Sequence, residues 1–366
     1  MRCSRCAPTI WATKPSKTCP NSRNPAAPSF WSYRTGNLRP EMKLLCAAAF
    51  VALALMLSVG VGAAFLSPSD VLNALLHPQA NSDANTIVWT LRIPRACIAA
   101  VVGAALALAG VLLQGMLRNP LVDPYLTGVS AGAAAAISVA VAAGVAAPFV
   151  PALGFLAGLA TAILVAAIAR RGTGIDANRL ILAGVSLSAL FSAFVALVLT
   201  RLQQGGYAQT IIAWLAGSLA GRGWHDLTWT APYLVIGLLL AILSIPALNA
   251  LRLGDTRARA VGVDVSRAQW VILASAALLT ASAVALCGIV GFVGLIVPHM
   301  ARRIIGTDAR SLAPLAALFG AAFMAVADAV SRTLFAPVEI PIGVLLAFIG
   351  VPTFLYLYLH EGRRFA

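Results

Sequence analysis

Charge is what this chain lacks most. Only 10% of its 366 residues are charged and 60% are hydrophobic, with a mean hydropathy of +0.89. A soluble domain carries about 25% charged residues, so a water-exposed surface is excluded over most of the chain and lipid must solvate it. Acidic residues are scarcer than basic ones, 12 against 26, for a net charge of +14. The basic residues are scattered between apolar runs and not gathered on one face, which argues against nucleic acid as a partner. Histidine is rare too, with four in the chain. His299 alone falls within an apolar run, just before Arg302 and Arg303, where a capping or interfacial role fits better than catalysis. There is no His-Glu-x-x-His, no Ser/His/Asp set at plausible depth, and no G-x-x-x-x-G-K-[ST] phosphate loop. No catalytic residue is therefore assigned, and any ATP-driven work would come from another polypeptide. Six cysteines are present. Cys3, Cys6 and Cys19 lie near the N-terminus, while Cys46, Cys97 and Cys287 stand singly in apolar runs. The Cys3/Cys6 pair lacks the second ligand pair of a structural zinc site, so no metal site is assigned.

What is present is a series of long apolar runs. A helix needs about 20 apolar residues to cross the bilayer core. On that scale, spans fall near 44–66, 96–117, 126–146, 149–169, 179–200, 231–250, 269–289, 292–306, 313–331 and 341–360. Two uncharged stretches are too long for one helix each. Pro124 to Ala169 breaks at Pro148 and Pro151, and Ala268 to Ala301 breaks around Gly288, Gly291 and Gly294. Residues 202–221 are uncharged, rich in Gln and Gly, and flanked by tryptophan. They read as an external loop with a partly amphipathic or re-entrant helix, the alternative being an eleventh span. The expected fold is all-α and polytopic, with about ten transmembrane helices over residues 43–362 and a short C-terminus, 363–366.

Residues 1–42 differ in kind. They are rich in Ser, Pro, Asn, Thr, Lys and Arg and show no helical period, the composition of an unstructured segment. Met42-Lys43 then opens a clean apolar run, which suits a start at Met42 and an over-extended gene. A disordered cytoplasmic tail is the rival reading.

Basic residues near span ends set the orientation. With ten spans and the N-terminus inside, Lys43, Arg118, Arg170, Arg171, Arg179 and the arginines of 252–267, 302–310 and 363–364 fall on the cytoplasmic side. Only Arg92, Arg95, Arg201, Arg222 and Arg332 fall outside. Both termini are then cytoplasmic. Ionisable residues inside the spans, the mark of an ion-coupled carrier, are nearly absent. Asp328 is the exception, with Arg332 four residues on as a simple ion-pair partner.

Polar features gather in loops instead. They are Arg92-Ile93-Pro94-Arg95, Asn119-Pro120-Leu121-Val122-Asp123-Pro124, the inner segment RLGDTRARAVGVDVSR (Arg252–Arg267), and Arg302 to Arg310. The third is the longest inner connection. Its size and polarity suit short helices along the membrane face and a protein partner, beyond the ordinary excess of positive charge inside.

These same residues carry a resemblance. RIPRACIAAVVGAALALAGVLLQGMLRNPLVDPYLTGVSAGAA (Arg92–Ala134) resembles the signature of the permease family for iron chelates, haem and cobalamin. LILAGVSLSALFSA (Leu180–Ala193), LGDTRARAVGVDV (Leu253–Val265), GIVGFVGLIVPHMARRIIGTDARSLAP (Gly288–Pro314) and EIPIGVLLAFIGVPTF (Glu339–Phe354) are similar to its later motifs. The resemblance implies a type II ABC importer permease of the bacterial inner membrane, carrying iron–siderophore complexes, or haem or cobalamin, with an ion-coupled carrier as the reading from another class. It implies a second permease subunit, most simply a second copy, two cytoplasmic ATPases that use ATP and Mg, and a periplasmic binding protein. This chain itself would bind no cofactor. By the same analogy Arg92, Arg95 and Arg332 receive acidic residues of the binding protein, with lipid-headgroup anchoring the alternative for the first two. Leu253, Gly254, Asp255, Arg257, Arg259 and Gly262 form coupling helices in the ATPase clefts, with Gly262 turning between two short helices, and Arg302 and Arg303 extend that footprint. Gln114, Ser186 and Ser188 line the pathway or hydrogen-bond between helices.

Overall fold

Lipid offers no hydrogen bonds, so an uncharged run that crosses it must satisfy its own backbone, and an α-helix does so within one segment. The computed structural model of the chain describes residues 39–62, 66–78, 82–172, 174–202 and 206–362. In chain order the helices are α1 (Pro40–Gly60), α2 (Pro68–Leu76), α3 (Asp83–Thr86) and α4 (Ile93–Leu117), then α5 (Val129–Ala142), α6 (Val150–Ala169) and α7 (Ala177–Arg201). They continue with α8 (Tyr207–Leu215), α9 (Trp224–Arg252), α10 (Asp255–Ala260), α11 (Val265–Cys287), α12 (Val293–Ile305), α13 (Ala309–Thr333) and α14 (Ile342–Gly362). A stretch of π-helix, Ile87–Arg92, makes α3 and α4 one continuous helix of 35 residues. Among the described residues the strands are one two-residue antiparallel pair, Arg170–Arg171 with Gly174–Ile175.

Seven of these helices are long and apolar enough to span a membrane, and α5 and the apolar part of α14 are shorter. At about 1.5 Å per residue, the 13 residues of α12 reach only about two-thirds of a hydrocarbon core of about 30 Å. Ten spans is therefore an approximate count. The eleventh does not form, because α8 has nine residues.

The structure moves several boundaries. Helix α1 begins at Pro40, ahead of the expected boundary at Met42, and closes at Gly60 and not near 66. Residues 1–38 and 363–366 lie outside the described residues, and with them Cys3, Cys6 and Cys19. Arg92 and Arg95 are not in a loop but inside the continuous helix that starts at Asp83. Trp224 opens α9 rather than ending an external loop. The coupling segment forms one short helix, α10; beyond the turn at Gly262 (φ +85°) the chain enters the long α11 directly.

Helix α4 is the centre of the bundle, with most of its length buried. Glycines bring its neighbours to backbone contact: a methyl group on Gly103 would overlap the Gly320 carbonyl of α13, and one on Gly110 would overlap the Gly294 carbonyl of α12. Small residues at such crossings let van der Waals packing replace the hydrophobic drive that lipid removes. Helix α7, in contrast, exposes Leu182, Val185, Leu190, Phe194 and Leu197 along most of its length.

At one place the non-helical backbone is covered by protein. The turn between α11 and α12 (residues 288–292) meets the turn after α8 and the 3-10 turn Pro124–Thr127. Ser218 N–H donates to the Cys287 carbonyl (2.8 Å), and Val290 N–H donates to the Tyr125 hydroxyl. Irregular backbone in a membrane protein survives only under such cover.

The Gly103 crossing has a direct test. Gly103→Leu is expected to cost about 1–3 kcal/mol or more through overpacking, seen as a lowered unfolding midpoint in detergent. Gly60→Ala, where a new Cβ meets nothing within 4 Å, should leave the midpoint unchanged.

Candidate functional site

At one end of the bundle, α1 stops at Gly60 and leaves its last carbonyls without helical partners. Two arginines from other helices serve them. Arg92 Nη1 donates to the carbonyls of Val59 (2.9 Å) and Gly60 (3.0 Å). Arg332 Nη2 donates to the Ser58 carbonyl (2.9 Å) and hydroxyl (3.0 Å). Cations at a helix C-terminus also oppose the negative end of its dipole.

Beside Arg332 lies Asp328 of α13, with no exposed surface. Arg95 Nε donates to Asp328 Oδ1 at 3.0 Å. The other oxygen is 3.0 Å from Arg332 Nε, a charge contact without hydrogen-bond geometry, since that N–H points to the Asp328 carbonyl (3.3 Å). Arg95 Nη1 reaches both oxygens of Glu339 at 3.1 and 3.0 Å. The expected Asp328–Arg332 pair is therefore present, as part of a larger cluster that ties together α1, α4, α13 and the segment before α14. Arg92 and Arg332 are 5% and 4% exposed and are spent on α1. Of the three arginines expected to receive a binding protein, Arg95 has the most open surroundings, beside the half-buried Glu339.

The opposite end collects the other polar motifs. Helix α10 presents Arg257 and Arg259 to the exterior, with Leu253 and Val261 63% and 71% exposed, while Ala258 is fully buried and anchors the helix. Gly254 (φ +104°) and Gly262 take backbone conformations that L-residues with side chains rarely adopt. Arg118, at the end of α4, pairs with Asp255 at 3.1 Å and so joins α10 to the central helix. Lys43 Nζ donates to the Ile304 carbonyl (2.7 Å), fastening α1 to α12. Arg303 is exposed; the half-buried Arg302 instead donates to Gln114.

Helix starts at this end are capped by aspartates. Asp176 accepts from Arg179 N–H (3.0 Å), Asp264 from Arg267 N–H (3.0 Å) and Asp308 from Arg310 N–H (3.1 Å). The Arg310 N–H and the Asn249 side-chain amide (2.6 Å) hold the Asp308 carboxyl below its ordinary pKa. Because the folded value is depressed, that contribution to stability is present above the unfolded pKa and is lost as pH falls through the folded one.

Gln114 is buried, 3% exposed. Its Nε2 donates to the carbonyls of Val122 (3.0 Å) and Gly294 (3.0 Å), and its Oε1 accepts from Arg302. Gln114 thus bonds α4 to the 119–124 turn and to α12. The 119–124 motif is a folded turn: Asn119 Oδ1 accepts from Leu121 N–H and Asp123 Oδ1 from Tyr125 N–H, each at 2.9 Å. Ser186 is exposed and Ser188 half-buried on α7. His299 of α12 is buried. Among the described residues no three His, Cys, Asp or Glu side chains gather as a metal ion would require. Sequence reasoning missed Glu339, Asn249 and the carbonyls of Ser58, Val59 and Gly60. The available signal for Glu339 was its place at the head of the Glu339–Phe354 motif.

Two polar ends joined by a closely packed, weakly polar bundle match the layout of a transport subunit, and comparison with known proteins decides the family. Residues 50–360 match the FecCD transport family. The chain belongs to that family. It is 35% identical over 328 residues to the Fe(3+)-citrate import system permease protein YfmE of Bacillus subtilis, covering 89% of this chain and 97% of that one. It is 36% identical to the hemin transport system permease protein HmuU of Yersinia pestis, covering 90% and 98%. A solved metal-chelate type ABC transporter, in an inward-facing conformation, superposes with a TM-score of 0.78 at 33% identity over 88% of this chain and all of its own. The chain is thus a multi-pass ABC importer permease of the group that serves iron chelates, haem or cobalamin.

The buried cluster predicts an asymmetry in stability. Asp328→Ala leaves the buried Arg332 and the partly buried Arg95 without their shared carboxylate and should cost about 3–5 kcal/mol. Glu339→Ala, at a half-buried partner, should cost about 1 kcal/mol or less. Thermal unfolding in nanodiscs checks both; equal losses would contradict the burial argument.

Proposed function

We propose that this chain forms the transmembrane pathway of an ATP-driven importer that carries iron–siderophore complexes into the cytoplasm. Its place would be the bacterial inner membrane, with both termini cytoplasmic, so that the arginine-rich end faces inward. The observation that carries the reading is the exposed helix α10, with Arg257 and Arg259 open to solvent, on a chain that belongs to a permease family. A short exposed helix, anchored through Ala258 and tied to α4 by Arg118–Asp255, is a suitable handle for an ATPase. Leu253, Gly254, Asp255 and Gly262 shape that handle. Arg303 widens its surroundings, and Arg302 braces them through Gln114.

In this mechanism a loaded binding protein docks at the opposite end, where Arg95 meets one of its carboxylates and Arg92 and Arg332 hold the surrounding helices in place. Cargo enters between two permease subunits, most simply two copies of this chain. Exposed α7, with Ser186 and Ser188, lines the shared pathway. ATP and Mg bind to the two ATPases, which close and move α10. The packed helices then shift as rigid bodies, and the open side switches. The permease makes and breaks no covalent bond. The haem permease relative is as similar as the iron-citrate one, so haem is the second cargo to test; cobalamin is a third.

Reconstitution of the permease with its ATPase and binding protein in proteoliposomes should give ferric-siderophore uptake that stops without ATP. Uptake driven by an ion gradient without the ATPase would overturn the reading. Reversing both Arg257 and Arg259 to Glu should abolish co-purification of the ATPase, and recovery of a normal complex would contradict the role of α10. Arg95→Glu should weaken docking of the binding protein about tenfold or more; an unchanged affinity would remove Arg95 from the docking surface.

A further inference from the structure

The end of the bundle that carries Arg95 holds an acid with no structural duty comparable to that of Asp328. Asp328 is wholly enclosed and neutralises two arginines. Glu339 is different. Its side chain is 32% exposed, against 12% for Arg95, and it is bound by Arg95 through both carboxylate oxygens. It follows directly on Leu334, Phe335, Ala336, Pro337 and Val338, all exposed, with Phe335 and Val338 66% and 69% open. The surface there is an apolar turn beside an arginine already holding a carboxylate. That arrangement fits a protein partner with an acidic side chain next to an apolar contact, since arginine and aromatic anchors dominate interface energies.

We propose that Glu339 is a built-in competitor for Arg95, occupying the guanidinium until a carboxylate of the binding protein takes its place. This rests on the docking reading of Arg95 given above. Physically, an incoming carboxylate must either displace Glu339 from Nη1 or sit beside it as a like charge. Both weaken the encounter. A fully free arginine would bind the same carboxylate with the strength of a bidentate charged pair and would hold the binding protein after it had emptied. Glu339 thus sets docking to be reversible: strong enough to seat the protein, weak enough to release it each cycle.

The experiment uses the complete permease–ATPase complex in nanodiscs. Its probe is the substrate-binding protein of the same importer, followed by association and dissociation on a sensor surface. Glu339→Gln keeps the shape and removes the charge. It should tighten docking about five- to twentyfold, mainly through slower dissociation, and the gain should shrink at high salt. Glu339→Asp keeps the charge on a shorter arm and should show a smaller gain, which keeps the test valid if the glutamine variant proves unstable. In an Arg95→Ala background, Glu339→Gln should change nothing, because the competition has no object. Docking by Glu339→Gln that is unchanged or weaker, while Arg95→Glu weakens docking, would overturn the competition and leave the docking role of Arg95 standing. Indifference to Arg95→Glu would overturn both.

Discussion

A helix that ends inside a membrane protein leaves carbonyls that lipid cannot satisfy, and much of this structure is arranged around that fact. Helix α1 ends at Gly60, and Arg92, at the end of the π-helical stretch before α4, and Arg332 of α13 take its last three carbonyls. Arg332 then needs a counter-charge in a low-dielectric setting, and Asp328 supplies it from a fully buried position. Arg95 completes the neutralisation on one side and reaches toward the surface on the other. One backbone requirement thus links four segments and leaves one arginine at the edge of the cluster, where a partner can meet it.

The same requirement governs the rest of the chain. Gln114 bridges the 119–124 turn and α12, and Tyr125 receives the Val290 N–H. The aspartates 176, 264 and 308 cap the starts of α7, α11 and α13. Polar residues are few, and most of those inside are committed to backbone groups at helix ends and turns. This leaves the bundle interior to apolar residues, with glycine crossings that fix α4 against α12 and α13. A rigid centre with polar ends suits a device that moves as blocks rather than one that binds its cargo tightly along the way.

Much of this was legible beforehand. Uncharged runs of about 20 residues marked the spans, because crossing lipid demands them. The breaks at Pro148 and around Gly288 and Gly291 correspond to real turns, while Pro151 and Gly294 lie inside α6 and α12. The segment 252–267 stood out by charge, and its exposed arginines are where the pattern put them. Other features were hidden for physical reasons. Arg92 and Arg95 looked like loop residues because Pro94 sits between them, yet proline inside the continuous helix is tolerated next to the π-helical stretch, where the ladder is already offset. A reading by position made Arg92 and Arg332 look external. Nothing in the sequence says that a guanidinium near a span end turns inward to another helix's carbonyls. Glu339 was invisible as a partner of Arg95 because 244 residues separate them.

The most direct test is a structure of the assembled complex, with ATPase and binding protein in place. The account predicts the ATPase clefts seated on Asp255–Ala260, the binding protein over Arg95, and Arg92 and Arg332 still bonded to the α1 carbonyls. An ATPase bound elsewhere, or Arg92 and Arg332 swung out onto the binding protein with α1 uncapped, would contradict it.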